Sequence, residues 1–141
     1  WIEPDLIEAC AEEGMGIIAF TALAQGLLTN KYLGGIPGDS RMARGGTLSR
    51  EMLSDDVLAR LQGLSQIAKS RGQELSQMAL AWALRDPRVT SLVIGASSVA
   101  QLNSNIAMLE NMVFSDEELA EIDRFAVDSG INLWAASSDA K

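Results

Sequence analysis

The chain has 141 residues, 48% of them hydrophobic and 21% charged, and it carries a net charge of −8. This composition is typical of a globular domain rather than a disordered segment. Because it has neither a basic cluster nor an apolar run near the ~20 residues that cross a bilayer, we expect no nucleic-acid partner and no membrane partner. A single cysteine and no histidine argue against a zinc site and an internal disulfide, and we expect a cytoplasmic protein.

The first predicted elements are a short helix and a strand. Pro4 suits the first turn of the helix, and Gly14 is a natural stop. Residues 16–20 then form a continuous apolar run with β-branched side chains. Such a run predicts a strand that is covered on both faces, as strands of parallel sheets are.

A long segment without a regular pattern, residues 21–53, follows this strand. Six glycines lie between positions 26 and 46, together with the cations Lys31 and Arg41. Loops of this length inside a compact domain are more often functional than accidental. Taken alone, however, two basic residues in a loop are also typical of an ordinary solvated surface.

Two helices, a second strand and two more helices are predicted after the loop. Ser54 is the N-cap of the first helix, and the second, at about residues 75–85, is apolar nearly all round and therefore buried. The second strand spans residues 89–94 and has the same buried character. The helix at about residues 99–109 is expected to turn three apolar residues inward: Leu102, Ile106 and Leu109.

The last helix carries a capping box, with Ser115 as the N-cap and Glu118 three residues later. The order of elements is thus helix, strand, long loop, two helices, strand and two helices. This alternation indicates an α/β protein with parallel strands. Because ~250 residues and eight strands are typical of a barrel, the chain is either part of a barrel or a small open sheet that needs a partner.

The ends of the two strands are candidate anion sites, since ligands of parallel α/β folds lie beyond the carboxyl ends of the strands. The second strand runs into Gly95-Ala-Ser-Ser98, directly before a helix N-terminus. Small residues there let a ligand approach, and free backbone N–H groups attract an anion. The alternative is an ordinary strand-to-helix turn with Ser98 as its cap, which the pattern alone slightly favours.

Four blocks of sequence resemble the aldo-keto reductases, in the order that family has them. They are GMGIIAFTALAQGLLTNKY at residues 14–32, IPGDSR at 36–41, QMALAW at 77–82 and VIGASSVAQLNSN at 93–105. The tail INLWAASSD, at residues 131–139, resembles the bacterial glyceraldehyde-3-phosphate reductase branch, which is similar to the β-subunits of voltage-gated potassium channels. The resemblance implies that residues 1–141 are the C-terminal portion of a (β/α)₈ TIM barrel, its last two strands with their helices.

The resemblance also implies NADP(H) as the cofactor and a set of residues that bind it. Phe20 would stack on the nicotinamide ring, although a core phenylalanine at the end of a strand is the alternative. Lys31 and Arg41 would face the phosphates and adenosine, and Ser97 with Gln101 would address the 2′-phosphate. The complete set is Phe20, Thr21, Leu23, Ala24, Gln25, Lys31, Ser40, Arg41, Gly95, Ser97, Gln101 and Asn105.

Two positions depart from the family pattern. Ala22 stands where relatives usually have proline, which loosens the turn that positions the nicotinamide. Ser104 stands where relatives often have glutamate, which puts a contact to the adenine end in doubt.

The function implied by the resemblance is reduction of an aldehyde or ketone to an alcohol. The catalytic Asp, Tyr, Lys and His of the family lie in the first half of the barrel, which is absent here, and Tyr32 belongs to the cofactor loop instead. We therefore expect a cofactor-binding segment that is inactive alone, with glyceraldehyde 3-phosphate or methylglyoxal as candidate substrates of the whole enzyme. The alternative is a non-catalytic cofactor- or partner-binding module like the channel β-subunits, and homo-oligomerisation stays open.

Overall fold

A computed structural model describes residues 3, 5–38, 40, 42–43 and 48–128. The interpretations of Pro4, Arg41 and the tail at residues 131–139 concern positions outside this set. The described helices and strands are, in chain order, α1 (Leu6–Glu12), β1 (Ile17–Phe20), α2 (Asp55–Ser70), α3 (Leu75–Ala83), β2 (Val89–Val93), α4 (Val99–Ile106) and α5 (Asp116–Asp123). Short 3₁₀ turns occupy Ala24–Gly26, Asn30–Tyr32, Arg50–Met52 and Ala107–Glu110.

The helix starts follow the capping residues expected from the sequence. The hydroxyl of Ser54 accepts a hydrogen bond from the backbone N–H of Val57 at 3.3 Å. At α5, the backbone N–H of Ser115 donates to Glu118, and the N–H of Glu118 donates back to the Ser115 hydroxyl. These contacts satisfy N–H groups that have no acceptor inside the helix, and they confirm both predicted caps.

The hydrophobic core lies between α2, α3, α5 and the long loop. Helix α3 is buried on most of its surface, as its apolar composition predicts, because it contacts α2 on one side and β2 and α4 on others. The buried residues that pack together are Leu27, Tyr32, Met42, Leu48, Leu61, Leu64, Ile67, Ala68, Leu75, Met78 and Ile122. The long loop therefore contributes side chains to the core rather than lying on its surface.

The two strands form a parallel sheet, with α2 and α3 in the connection between them. Phe20 is paired with Val93, and Ala19 with Leu92, so both strands end at the same edge. This arrangement confirms the α/β class with parallel strands. It also brings the loop after β1 and the loop after β2 to one side of the sheet.

The prediction that both strands are covered on both faces is wrong for this chain. Ile18, Phe20 and Val93 are 65%, 63% and 60% exposed. They share a face, because alternate residues of a strand point to opposite sides and paired residues point to the same side. Ala19 and Leu92 on the other face are half-buried, and α3 packs against β2. No described element lies over the first face.

The inward orientation predicted for three residues after β2 is also wrong here. Leu102, Ile106 and Leu109 are 41%, 48% and 61% exposed. The buried residue of α4 is instead Asn105, at 2% exposure. Helix α4 rests on α3 through its polar side, so its apolar stripe meets no covering element among the described residues.

Candidate functional site

The candidate site is the sheet edge where both strands end. Because Phe20 and Val93 are register partners, the residues that follow them start side by side. Thr21 opens the long loop, and Gly95 opens the loop into α4. The two segments that sequence analysis selected independently are therefore neighbours in space.

The backbone after β1 adopts an uncommon conformation at three residues. Thr21, Ala24 and Gln25 have φ angles of 59°, 46° and 57°. This left-handed region costs a residue with a Cβ atom free energy, and most of all a β-branched one such as threonine. The carbonyl of Thr21 accepts a 2.7 Å hydrogen bond from the N–H of Ala24, which helps to hold the turn. Strained residues of this kind concentrate at functional sites.

The residues flanking this turn differ in exposure. Phe20 is 63% exposed, so it is not a core phenylalanine of this chain. Leu23 is half-buried, and its carbonyl accepts from the N–H groups of Gly26 and Leu28 at 2.8 and 3.2 Å. The segment therefore combines an exposed aromatic ring with a backbone fixed by local hydrogen bonds.

Lys31 projects from a turn that is anchored to the core. Its neighbour Tyr32 is 1% exposed, which leaves the tyrosine ring as a packing residue. The hydroxyl of Thr29 donates to the carbonyl of Gly26 at 2.7 Å and accepts from the N–H of Lys31 at 3.2 Å. The lysine side chain is exposed, so a backbone held by hydrogen bonds carries a cation at the surface.

Ser40 does not present its hydroxyl at the surface. The residue is 0% exposed, and its Oγ accepts a hydrogen bond from the N–H of Ala43 at 3.1 Å. In this arrangement Ser40 shapes the loop from inside, and contact with a ligand would require the loop to move. Its predicted binding role remains a prediction, as does that of Arg41, which lies outside the described residues.

The loop after β2 is open and rich in donors. A Cβ atom built on Gly95 would meet nothing within 4 Å, so the glycine leaves room on its outer side. The Ser98 hydroxyl caps α4 by accepting from the N–H of Gln101 at 3.1 Å. The N–H and the hydroxyl of Ser97 both donate to Oε1 of Gln101, at 2.7 and 2.9 Å. Two donors thus converge on one oxygen, which an anionic oxygen could replace.

Asn105 and Ser104 lie one turn further along α4 and face inward. Asn105 is 2% exposed, and its Nδ2 has no hydrogen-bond partner among the residues that the structure describes. The Ser104 hydroxyl donates to Glu74 of the α3 N-terminus at 2.9 Å. Neither residue reaches the open loop in this arrangement, so the binding role of Asn105 remains a prediction that needs a side-chain movement.

The groups with shifted pKa values lie away from this edge. A side-chain hydrogen bond from Arg88 lowers the pKa of Asp86 to about 2. The backbone N–H of Ser115, assisted by Arg71, lowers the pKa of Glu118. Within the described residues, no three acidic or cysteine side chains form a cluster able to hold a metal ion. None of the described helices is long and apolar enough to cross a membrane.

The aldo/keto reductase family model matches residues 2–127. The chain belongs to the aldo/keto reductase family. It is 50% identical to L-glyceraldehyde 3-phosphate reductase of Escherichia coli (strain K12) over 144 residues, which cover 99% of this chain and 42% of that protein. It is 36% identical to a probable voltage-gated potassium channel subunit beta of Arabidopsis thaliana, over 77% of this chain and 34% of that protein. The resemblance inferred from the motifs is thereby confirmed.

A solved structure shares the fold of this aldo/keto reductase chain. The glycerol dehydrogenase of Gluconobacter oxydans matches it with a TM-score of 0.69 and 23% sequence identity, over 93% of this chain and 42% of that one. The fold is therefore α/β and part of a (β/α)₈ barrel, and the described part of the chain contains two parallel strands in a sheet that is not closed. The chain spans less than half the length of the relatives it matches.

Proposed function

We propose that this chain is the NADP(H)-binding part of an oxidoreductase that reduces aldehydes or ketones to alcohols. The observation that carries the proposal is the meeting of two ligand-accessible loops at one end of a parallel sheet. Phe20 and Gly95 open onto this edge, with the strained turn and the Ser97 donors beside them. Family membership and 50% identity to a protein named for the reduction of glyceraldehyde 3-phosphate support it.

The donor set fits a nicotinamide dinucleotide in most respects. An exposed aromatic ring at Phe20 suits a flat, partly cationic ring. The Ser97 donors at the start of α4 suit a phosphate, and Lys31 adds an exposed cation. Ser40 and Asn105 fit only after movement, because both are buried. We infer that Gln101 must release the Ser97 donors when a phosphate binds.

The nicotinamide, when bound, supplies the hydride for reduction of a carbonyl carbon. The residues of this chain would bind and orient the cofactor: Phe20 would hold the nicotinamide ring, and the left-handed turn at Thr21, Ala24 and Gln25 would hold the ribose and pyrophosphate. The chain's tyrosine, Tyr32, is buried in the core, and the chain has no histidine. We infer that the proton donor and the rest of the catalytic tetrad lie in polypeptide outside this chain.

Two finer assignments belong to the same proposal. We assign a preference for NADP(H) over NAD(H) to Lys31, Arg41 and Ser97, because a 2′-phosphate adds charge that cations and N–H donors stabilise. We assign a small aldehyde such as glyceraldehyde 3-phosphate or methylglyoxal as the substrate of the whole enzyme. We place that enzyme in the cytoplasm.

A second candidate is a non-catalytic, cofactor-dependent partner module. The 36% identity to a protein named as a potassium channel β-subunit favours it. The two candidates share the cofactor site and differ in chemistry. A full-length version of the protein that binds NADPH but does not oxidise it with any small aldehyde would support the second candidate.

The test of the proposed site is a fluorescence titration of the 141-residue chain with NADPH. We expect saturable binding that weakens at least tenfold in the Lys31→Ala, Arg41→Ala double variant, since two charge-assisted contacts are removed. Lys69→Ala is the matched control, because Lys69 is an exposed lysine in the last turn of α2, outside both loops. Equal affinity in the double variant and the control would remove the roles of Lys31 and Arg41.

A further assay tests the division of labour. We expect no NADPH oxidation by the purified chain with methylglyoxal or glyceraldehyde 3-phosphate. Steady turnover would show that the chain supplies its own proton donor, and the assignment of the tetrad to other polypeptide would fail.

A further inference from the structure

Three residues form a closed set of hydrogen bonds between α3 and α4. The Gln77 side chain accepts from the backbone N–H of Glu74 at 2.8 Å through Oε1. Its Nε2 donates to the backbone carbonyl of Ser104 at 2.9 Å. The Ser104 hydroxyl in turn donates a hydrogen bond to the Glu74 carboxylate at 2.9 Å. One glutamine side chain thus bridges the start of one helix and the last turn of another.

The Ser104 carbonyl lies in the last turn of α4, where the hydrogen bond from Gln77 restrains the end of the helix. Because α4 ends at Ile106, carbonyls of its last turn lack an N–H partner inside the helix. Gln77 satisfies one of them with a half-buried amide. A donor held at this point restricts both the sliding and the rotation of α4 relative to α3.

The other side of α4 contributes little to holding it. Val99, Leu102 and Ile106 are 74%, 41% and 48% exposed, so the described residues do not make there the hydrophobic contacts that normally fix a helix in an α/β domain. The polar contacts on the inner side therefore carry a larger share of the placement. Gln101, which holds the Ser97 donors, lies three residues before Ser104, about one turn away.

We infer that Gln77 is a positioning residue. It sets the placement of α4 and thereby orients Ser97 and Gln101 toward the 2′-phosphate of the cofactor. This inference rests on the proposed function for its consequence and on the hydrogen bonds above for its mechanism. Ser104 acts in the same way through its carbonyl and hydroxyl. The inference assigns none of the three bridging residues a contact with the ligand.

The bridge is tested first without any cofactor, by hydrogen–deuterium exchange of the 141-residue chain. In Gln77→Met we expect the amides of α4 to exchange about two- to tenfold faster, the range that loss of one net hydrogen bond gives. The control is Ser115→Ala, which removes the cap of α5 and should accelerate α5 instead. Unchanged exchange in α4 of a folded Gln77→Met chain would overturn the inference.

The consequence for binding is tested by titrating wild type and variants with NADPH and with NADH. We expect Gln77→Met and Ser104→Ala to bind NADPH about two- to tenfold more weakly, with little change for NADH, and Ser104→Thr to restore wild-type affinity. A merely structural role would weaken both cofactors equally, as would Ser115→Ala if it acted at all.

The two proposals fail in different ways. If wild type shows no saturable binding of NADPH, the proposed function fails and the role in binding falls with it. If wild type binds NADPH and the variants keep its affinity and its ratio to NADH, only the role of Gln77 is overturned. Should Gln77→Met not fold, Gln77→Glu decides the question, because it keeps the Oε1 acceptor for the Glu74 N–H and removes the Nε2 donor to the Ser104 carbonyl.

Discussion

Replacing Arg71 by methionine should remove the strongest polar link between α2 and the segment that precedes α5. The Arg71 side chain is 2% exposed and pairs with Glu118 at 2.5 Å. Its guanidinium also donates to Gln73 Oε1 at 3.0 Å, to the carbonyl of Val113 at 3.0 Å, and to both oxygens of Asn111 at 3.3 Å. The guanidinium also stacks on the Phe114 ring, with the Arg71 Cζ atom 3.8 Å from the ring centre.

The expected loss in the free energy of unfolding follows from these contacts. Removing one partner of a buried ion pair costs about 3–5 kcal/mol. Because Glu118 is 33% exposed and can be hydrated again, and because Gln73 still donates to the Asn111 carbonyl, we expect about 3 kcal/mol for Arg71→Met. That loss corresponds to a decrease in melting temperature of roughly 6–12 °C.

The assay is urea unfolding followed by circular dichroism, with Arg60→Met as the matched control. Arg60 also lies on α2 and pairs with an acid, Asp56, but that carboxylate is 68% exposed. Surface pairs of this kind contribute at most about 1 kcal/mol. If Arg71→Met lost no more free energy of unfolding than Arg60→Met, the argument from burial would be refuted.

Three further outcomes are expected. The pKa of Glu118 is lowered in the folded state, chiefly by the Ser115 N–H and then by Arg71. The carboxylate therefore stabilises the fold above its ordinary pKa of 4.5, and this stabilisation is lost as the pH falls toward the folded value. In an acid titration, Arg71→Met should lose less free energy of unfolding than wild type. Phe20→Ala should weaken NADPH binding while changing the free energy of unfolding by less than about 0.5 kcal/mol, because the ring is largely exposed; a large loss of stability would assign Phe20 to the core. Gly63→Ala should destabilise by about 1–2 kcal/mol in urea unfolding, since a Cβ atom there would overlap the ring of Phe125; a stabilised variant would show that this ring moves freely.

Local features of the fold were predictable because they depend on residues close in sequence. Ser54 and Ser115 indicate helix starts, because each is a serine whose hydroxyl accepts from the backbone N–H three residues later. The apolar surface of α3 indicates that this helix is buried. The capping box at Glu74 and Gln77 was missed because glutamate is not among the preferred N-cap residues. A glutamine three residues after a polar residue, at the start of an apolar run, was the available signal.

The candidate site was predictable at the level of segments more than of side chains. Family motifs selected the two loops, and the parallel register of Phe20 with Val93 brings them together. The burial of Ser40 and Asn105 could not be predicted, because it depends on how distant segments fold over them. Thr21, Ala24 and Gln25 have positive φ angles. None of them is a glycine or an asparagine, the residues that usually adopt such angles, so the sequence contains no local signal for the strain.

The wrong predictions about burial share one physical cause. An apolar run or stripe indicates that its residues suit a buried position. It does not indicate which segment of the protein buries them. Ile18 and Phe20 on one sheet face, and Leu102 with Ile106 on α4, are apolar and exposed. The chain matches 42% of the length of the structurally similar protein, and in a closed barrel one face of every strand points into an interior filled by side chains of the other strands. The exposed residues therefore lie where further strands and helices of a barrel would pack, so the same pattern that misled about this chain is consistent with its family.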